Sequence, residues 1–211
     1  MIRIGIDLDN TIINYEKPFL FSINKKKFFN LKIEKFEKNK LKKKIEALPD
    51  GKNKWNRVQG EVYGKLIYLA NAMDDINFFL SLCKIYKYKV FIVSHKTVHG
   101  HFQPRSILLR NLAINFLIKN KILNSNKNNL SKNQIFFCDN IDKKILKIKE
   151  LNLDYFIDDL LLVLNHNKFP SKTTKILFNN LPNKKIKKTI NFNTWSKLIN
   201  YFFSKKNNYF E

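Results

Sequence analysis

Residues 1–12 read MIRIGIDLDNTI, an apolar run that ends on two carboxylates, Asp7 and Asp9, followed by the hydroxyl of Thr11. The run has the composition of a buried strand, and such a strand is expected to end in turn residues such as Gly or Asn. Two like charges at that position repel each other unless a cation or a proton relieves the repulsion. We therefore interpret the end of this strand as a site for a divalent metal ion and a phosphoryl group.

Further along the chain, short apolar runs alternate with segments that have a helical spacing of apolar residues. Each run is nearly continuously apolar, which is typical of strands buried on both faces of a parallel sheet. The runs are Ile2–Leu8, Lys89–Val93, Gln134–Cys138, Asp154–Ile157 and Lys175–Phe178, and the helical segments are Asp74–Tyr86, Pro104–Lys119 and Ile141–Leu151. The alternation predicts an α/β protein with a three-layer, Rossmann-like parallel sheet, in which ligands bind at the carboxyl ends of the strands.

The stretch from Tyr15 to Asn71 does not follow this alternation. It is too long for a simple crossover, and its Lys-rich sequence dotted with Phe is typical of amphipathic helices, with a break at Pro49–Gly51. We interpret it as a small helical insertion after the first strand, and residues 1–14 with 72–211 as the α/β core. At the end of the core, a helix docked on the sheet is predicted by the spacing of Trp195, Leu198, Ile199, Phe202 and Phe203.

The chain is strongly basic. It has 211 residues, with 40 Lys or Arg against 17 Asp or Glu, and a formal net charge of +23. Such a charge is typical of proteins with anionic partners, such as nucleic acid or an anionic substrate. However, the lysines are spread along the chain among many Asn and Ile residues, without the arginine-rich or aromatic-interleaved patterns of nucleic-acid modules. Compositional drift therefore explains the charge better than a dedicated polyanion-binding face.

Other features bear on the cellular environment. Cys83 and Cys138 lie in apolar surroundings without the spacing of a metal or redox motif, so we expect reduced core thiols. Asp7 and Asp9 interrupt the N-terminal apolar run too early for a signal peptide. No apolar run reaches the ~20 residues that span a bilayer. These features predict a soluble cytoplasmic protein without membrane partners, and they leave the oligomeric state open.

A second apolar strand, Asp154–Ile157, also ends on carboxylates, Asp158 and Asp159. Either acid pair alone is consistent with an N-cap for the next helix. If the two strands are neighbours in the sheet, however, Asp7 and Asp9 converge with the second pair at one edge. Several carboxylates in a small volume favour a hard, oxygen-seeking ion, so the sequence predicts a Mg²⁺ site there.

Weaker signals follow the strand Lys89–Val93. The hydroxyl of Ser94 can donate a hydrogen bond to a phosphoryl oxygen without adding charge, although a Ser after a strand is commonly an N-cap or turn residue. His95, His99 and His101 come next and are candidates to line the cleft, although a loop histidine is more often structural.

Lys143 and Lys144 open the helix that leads to the second acid pair. From that position an ammonium group can point back at the strand ends. In a chain with so many lysines, either residue alone is weak evidence.

Taken together, these motifs resemble the haloacid dehalogenase-like (HAD) hydrolase superfamily. The family pattern begins with an apolar strand ending in DxDx[TV], and a second strand ending in Ser or Thr. A lysine at the start of a helix and a final acidic pair complete it. The matching residues are Asp7, Asp9 and Thr11 in the first motif, Ser94 in the second, Lys144 or alternatively Lys143 in the third, and Asp158 and Asp159 in the last.

The resemblance implies roles for the acids. Asp7 is the nucleophile that attacks phosphorus and forms an aspartyl-phosphate, and Asp9 protonates the leaving oxygen and then activates the hydrolytic water. Mg²⁺ is held by Asp7, by the backbone carbonyl of Asp9 and by an acid of the last motif. Asp159 is preferred for direct coordination, with Asp158 in support.

The resemblance also implies contacts to the substrate. Ser94 and Lys144 bind the non-bridging phosphoryl oxygens, and Lys144 offsets negative charge as the phosphoryl group moves. Thr11 and His95 are further candidates for substrate contact.

Asp9 distinguishes among the reactions of the family. Members that act on carbon–halogen bonds lack an acid at this position, and ion-pumping members carry Thr there. The resemblance therefore implies a Mg²⁺-dependent phosphohydrolase that acts on a small phosphate monoester. The insertion at 15–71 occupies the place of a cap domain, which covers the site in many relatives and disfavours bulky polymers. The alternatives are a nucleic-acid end phosphatase recruited by the basic surface, and a non-catalytic HAD-like binding protein.

Overall fold

The structure is a computed structural model that describes residues 1–28, 37–128, 130–179 and 189–204. Its strands are β1 (Arg3–Ile6), β2 (Ile13–Asn14), β3 (Asn71–Ala72), β4 (Lys89–His95), β5 (Ile135–Cys138), β6 (Tyr155–Asp158), β7 (Thr174–Phe178) and β8 (Ile190–Phe192). Its helices are α1 (Glu16–Lys25), α2 (Lys38–Glu46), α3 (Gly51–Tyr63), α4 (Ile76–Ile85), α5 (Leu109–Lys119), α6 (Ile141–Glu150), α7 (Leu161–Leu164) and α8 (Trp195–Phe203).

The chain divides into two compact units. Unit 1 comprises Met1–Ile13, Ala72–Lys96 and Leu117–Glu211, and unit 2 comprises Asn14–Asn71 and Thr97–Phe116. The short strands β2 and β3 pair with each other, and the chain passes from one unit to the other within them.

Unit 1 is built on a six-stranded sheet with the strand order β5-β4-β1-β6-β7-β8. Every neighbouring pair in this sheet is parallel. All five strands predicted from the apolar runs are present, and β1 lies between β4 and β6. The site prediction depends on the first strand lying next to the strand that ends at Asp158, and this adjacency is confirmed.

Helices pack on both faces of this sheet. On one face, α6 and α7 contribute Ile148 and Val163 to a buried cluster that includes Leu177 of β7. On the other face, Trp195 of α8 packs against Phe178, with ring centroids 5.3 Å apart. Because Leu177 and Phe178 are successive residues of one strand, they point to opposite faces. The three-layer α/β architecture and the docked C-terminal helix are therefore confirmed.

Two details differ from the sequence prediction. The helix predicted from Pro104 begins only at Leu109. Before it, His99 and Leu108 form an antiparallel bridge and the Leu109 amide donates to the Val98 carbonyl at 2.8 Å, so the backbone groups that a longer helix would use are already paired. In addition, β8 was not predicted, because three residues are too few to show a strand pattern.

Unit 2 has a helical core. Phe19 of α1 stacks on Trp55 of α3 with ring centroids 5.5 Å apart, and the ring of Tyr15 meets that of Tyr63 edge-on. The helical character predicted for 15–71 holds where the structure describes it, and the part of that prediction at 29–36 lies outside the described residues. The sequence assigns 97–116 to the core, whereas in the structure this segment groups with unit 2.

The remaining sequence predictions concern the cysteines and membrane segments. Both cysteines are buried and neither is in a disulfide, and burial raises the pKa of the Cys83 thiol well above its ordinary value. Within the described ranges, no helix combines the length and the apolar character that crossing a bilayer requires.

Candidate active site

Three carboxylates meet at the carboxyl ends of β1 and β6. Asp158 is the last residue of β6, and Asp7 follows β1 directly. Ile6 and Ile157 are partners in the parallel register, and the Asp7 amide donates to the Ile157 carbonyl at 2.8 Å, so strand pairing brings the two acids together. Oxygen atoms of Asp7, Asp158 and Asp159 all lie within 4.8 Å of one another. We refer to these three side chains as the carboxylate cluster.

Lys144 neutralises part of this cluster. Its Nζ donates to Asp7 Oδ1 at 2.5 Å and to Asp158 Oδ2 at 2.6 Å, and the lysine is almost completely buried. The side chain of Asn140 caps α6 by accepting a hydrogen bond from the Lys143 amide, which fixes the first turn of the helix. Lys143 itself is exposed and pairs with Asp139 at 2.7 Å. Of the two candidate lysines, Lys144 therefore lies at the cluster.

Burial and mutual charge control the ionisation of these groups. Burial raises the pKa of Asp7 above its ordinary value; the Lys144 ammonium opposes this effect, and the nearby acids, Asp158 first, add to it. Burial also disfavours the charged form of Lys144, but the carboxylates of Asp158 and Asp7 outweigh burial and raise its pKa. A cation added to the cluster would therefore favour the ionised form of Asp7.

Asp9 has a different partner. Both of its carboxylate oxygens accept hydrogen bonds from Lys96 Nζ, at 2.9 Å and 2.8 Å. Lys96 follows β4 directly and is buried. Lys96 is not among the residues that the sequence motifs predict for the site. Its position two residues after Ser94 is a signal in the sequence, because two such residues lie on the same side of an extended chain. Lysines are too common in this sequence, however, for that position to stand out.

The turn after Asp9 is set by Asn10. This residue has a φ of 63°, in the left-handed region that Asn tolerates better than most residues. Its side-chain amide donates to Asp159 Oδ2 at 3.3 Å, and the turn is closed by the Ile12 amide, which donates to the Leu8 carbonyl at 2.9 Å. The first acid motif and the last one are therefore linked through a side chain as well as through the sheet.

The structure places the remaining predicted residues as follows. Ser94 is buried near the end of β4, beside β1. Thr11 is fully buried and its hydroxyl has no hydrogen-bond partner among the residues that the structure describes, while its carbonyl accepts a hydrogen bond from Trp195 Nε1 at 2.9 Å. His95 is exposed, with Nε2 3.1 Å from the Asp139 carbonyl oxygen. Their contacts with a substrate stay predictions.

His99 and His101 are exposed residues of unit 2. The His99 carbonyl accepts a hydrogen bond from the Thr97 hydroxyl at 2.8 Å. That these histidines line the cleft stays a prediction.

The donor set fits a divalent metal ion. The cluster offers only carboxylate oxygens, which are hard ligands of the kind that Mg²⁺ prefers. The four acids of the two motifs and the two buried lysines carry a formal charge of −2 when all are ionised. Both oxygens of Asp158 already accept hydrogen bonds, one from Lys144 and one from the Leu160 amide, whereas Asp159 accepts from Asn10. The preference for Asp159 as the direct ligand stays a prediction.

Comparisons with known proteins identify the fold. No protein-family model matches the chain, and no curated protein matches it. Among solved structures, a HAD hydrolase of family IA, variant 3, from Entamoeba histolytica has a TM-score of 0.56 at 14% sequence identity, covering 93% of this chain and 95% of that one. A HAD family hydrolase from Deinococcus radiodurans with bound phosphate and sodium has a TM-score of 0.56 at 9% identity, covering 96% of this chain and 95% of that one.

A structure described as a dehalogenase is also similar to this chain. Its TM-score is 0.52 at 15% identity, and the match covers 95% of this chain and 96% of that one. The resemblance noted in the sequence is thus confirmed for the fold, which is that of the HAD-superfamily hydrolases. Because phosphate-bound and dehalogenase structures share it, the fold does not choose between their reactions.

Proposed function

We propose that this chain is a Mg²⁺-dependent hydrolase of small phosphate monoesters that works through a phosphoryl group carried on Asp7. The observation that carries the proposal is the cluster of Asp7, Asp158 and Asp159 at the strand ends, in which Asp7 and Asp158 share one buried lysine, Lys144. Asp9 is the second support, because the family resemblance implies that dehalogenases lack an acid there.

In this proposal, Asp7 supplies the nucleophilic oxygen. Asp9 donates a proton to the leaving oxygen and then takes one from the attacking water, the double role that one positioned carboxylic acid can fill. Lys144 and Ser94 hold the phosphoryl oxygens, and Lys144 also limits repulsion between Asp7 and Asp158.

Asp7, Asp159 and the Asp9 carbonyl would hold Mg²⁺, with Asp158 in support. A bound divalent ion supplies positive charge that reduces repulsion between a carboxylate nucleophile and a phosphate dianion. The acid cluster provides the oxygen ligands that such an ion needs.

Unit 2 suggests the size of the substrate. Most of this unit is the segment Asn14–Asn71, which follows the first acid motif in the sequence. The family resemblance implies a cap domain at that position. We propose that it acts as such a cap and that the substrate is a small soluble ester.

A matched set of variants tests the function. We expect the wild-type protein to hydrolyse para-nitrophenyl phosphate with added MgCl₂, and Asp7→Asn to lose at least about 1,000-fold in kcat, because the nucleophile is removed. Asp74→Asn replaces an exposed acid of unit 1 and should leave kcat unchanged. A panel of phosphorylated sugars, nucleotides and metabolites, followed by phosphate release, would then identify the substrate class.

The same proteins separate the alternatives. Phosphate release that Asp7→Asn does not reduce would contradict the proposed mechanism. Halide release from 2-haloacids, without phosphate release, would assign the chain to the dehalogenases. The absence of both activities, with no binding of Mg²⁺ and beryllium fluoride, would favour a non-catalytic protein.

A further inference from the structure

Lys96 is a buried lysine to which the family motifs assign no role. It is 3% exposed and its amide donates to the Cys138 carbonyl at 3.0 Å, so the backbone there is fixed against β5. A buried ammonium group is costly unless it is paired and hydrogen-bonded. Lys96 is buried in spite of this cost and pairs with Asp9 of the first acid motif, which indicates that its charge has a use there.

The contact between Lys96 and Asp9 fixes the carboxylate. One Nζ donates to both oxygens of Asp9, and the Asp9 side chain is 17% exposed. Because both oxygens are bonded, the contact fixes the side-chain torsion of Asp9 as well as the distance between its carboxylate and the residue that follows β4.

Asp9 also lies in a repulsive field. The carboxylates of Asp7, Asp158 and Asp159 are all negative, and Lys144 is committed to Asp7 and Asp158. Without a cation of its own, Asp9 would be driven away from the cluster toward solvent. Lys96, the residue that follows β4 beside β1, supplies that cation.

We propose that Lys96 is the positioning residue for Asp9, holding its carboxylate in the orientation from which it exchanges protons. The inference rests on the proposed function, since it concerns the acid–base step of that reaction. It assigns Lys96 no contact with the substrate, and it predicts that every effect of Lys96 passes through Asp9.

Both half-reactions use the positioned acid. In the first, an Asp7 oxygen bonds to phosphorus, the bond from phosphorus to the leaving oxygen breaks, and the Asp9 proton goes to that oxygen. In the second, the water oxygen bonds to phosphorus, the bond to Asp7 breaks, and Asp9 takes the water proton. Nitrophenolate leaves readily without a proton, so with para-nitrophenyl phosphate the misplacement of Asp9 slows mainly the second step.

The experiment compares Lys96→Met and Lys96→Arg with Lys89→Met, which replaces an exposed lysine at the other end of the same strand. We expect Lys96→Met to lower kcat by about 10- to 100-fold with KM changed by less than about 3-fold, and to produce a burst of nitrophenolate as phosphoenzyme accumulates. Lys96→Arg keeps a cation that can engage both oxygens and should recover part of kcat. Lys89→Met should behave as the wild type.

A double variant distinguishes positioning from direct action. Asp9→Asn/Lys96→Met should match Asp9→Asn in kcat within about 2-fold, because Lys96 acts through Asp9. The double variant removes both charges of the buried pair and is expected to fold even if Lys96→Met alone does not. A further loss of about 10-fold in the double variant, or a Lys96→Met protein with normal kcat and no burst, would overturn the inference.

The failure of this inference differs from the failure of the proposed function. A wild-type protein without Asp7-dependent turnover refutes the proposed function. Crystal structures of the wild type and of Lys96→Met need no turnover: a shift of the Asp9 carboxylate by more than about 1 Å in the variant supports positioning, and an unmoved carboxylate overturns it.

Discussion

Lys144 is the buried counter-charge of the carboxylate cluster in unit 1. It is almost completely buried between Asp7 and Asp158, so its removal leaves two carboxylates facing each other without a counter-charge. We expect Lys144→Met to lower the free energy of unfolding by about 3 kcal/mol, as when one partner of a buried ion pair is deleted. Denaturant unfolding of the full chain, followed by tryptophan fluorescence, measures this change.

Lys143 provides the control for that measurement. It is the preceding residue on the same helix, but it is exposed and its pair with Asp139 is a surface ion pair. Lys143→Met should therefore change the free energy of unfolding by less than about 0.5 kcal/mol. Equal effects from the two substitutions would contradict the buried position of Lys144.

Helix α3 meets the segment 97–104 within unit 2 through Gly60. A Cβ placed on Gly60 would lie 2.0 Å from the His101 carbonyl oxygen, and this neighbour is backbone rather than the end of a flexible side chain. A Gly in a helix interior is ordinarily replaced by Ala with a gain in stability. At Gly60 the close approach makes the same replacement destabilising, because the segment 97–104 would have to move away from the helix.

We expect Gly60→Ala to destabilise unit 2 by about 2 kcal/mol, the typical cost of overpacking. Hydrogen exchange of α3 and of residues 97–104 should become faster in the variant. Lys52→Ala, at an exposed position of the same helix, should leave both exchange and stability unchanged. A stabilised Gly60→Ala protein would show that the segment does not pack where the structure has it.

Elements differ in how far the sequence determines them. Five of the six strands of the sheet were predictable because burial on both faces demands continuous apolar runs, as in Lys89–Val93. The start of α5 was not, because apolar residues at Ile107 and Leu108 satisfy a helical pattern even though their backbone is used elsewhere. The grouping of 97–116 with unit 2 depends on contacts such as that of Gly60 with His101, which no local pattern encodes.

For the site, the sequence predicts acids better than cations. Asp7 and Asp158 follow apolar strands, where a charge is unexpected, and parallel pairing of β1 with β6 brings them together. Lys96 and Lys144 are also buried charges, but each is one lysine among many until a neighbouring strand or helix supplies its partner. Lys143 and Lys144 were weak candidates from their position at the start of a helix, the family pattern preferred Lys144, and Lys96 required the structure.

The charge of the whole chain bears on the alternative substrate. The net charge of +23 is the main argument for a nucleic-acid end phosphatase. In α2, however, Leu41 and Ile45 are buried and the lysines between them are exposed, as on an ordinary solvated helix face. The two buried lysines of the site are neutralised by acids. We therefore propose that the charge is not a recognition surface.

A binding measurement decides this point. At 150 mM salt, we expect no discrete complex with a single-stranded oligonucleotide at protein concentrations below about 10 µM, because specific complexes are far tighter than this. Any complex seen at low salt should weaken steeply as salt rises, since scattered lysines contribute only through release of counterions. A complex that survives at 150 mM salt, together with release of phosphate from a 5′- or 3′-phosphorylated oligonucleotide that Asp7→Asn abolishes, would keep the proposed chemistry and transfer it to nucleic-acid ends. The basic surface would then select the substrate. That result would contradict the proposal that a cap restricts the site to small esters.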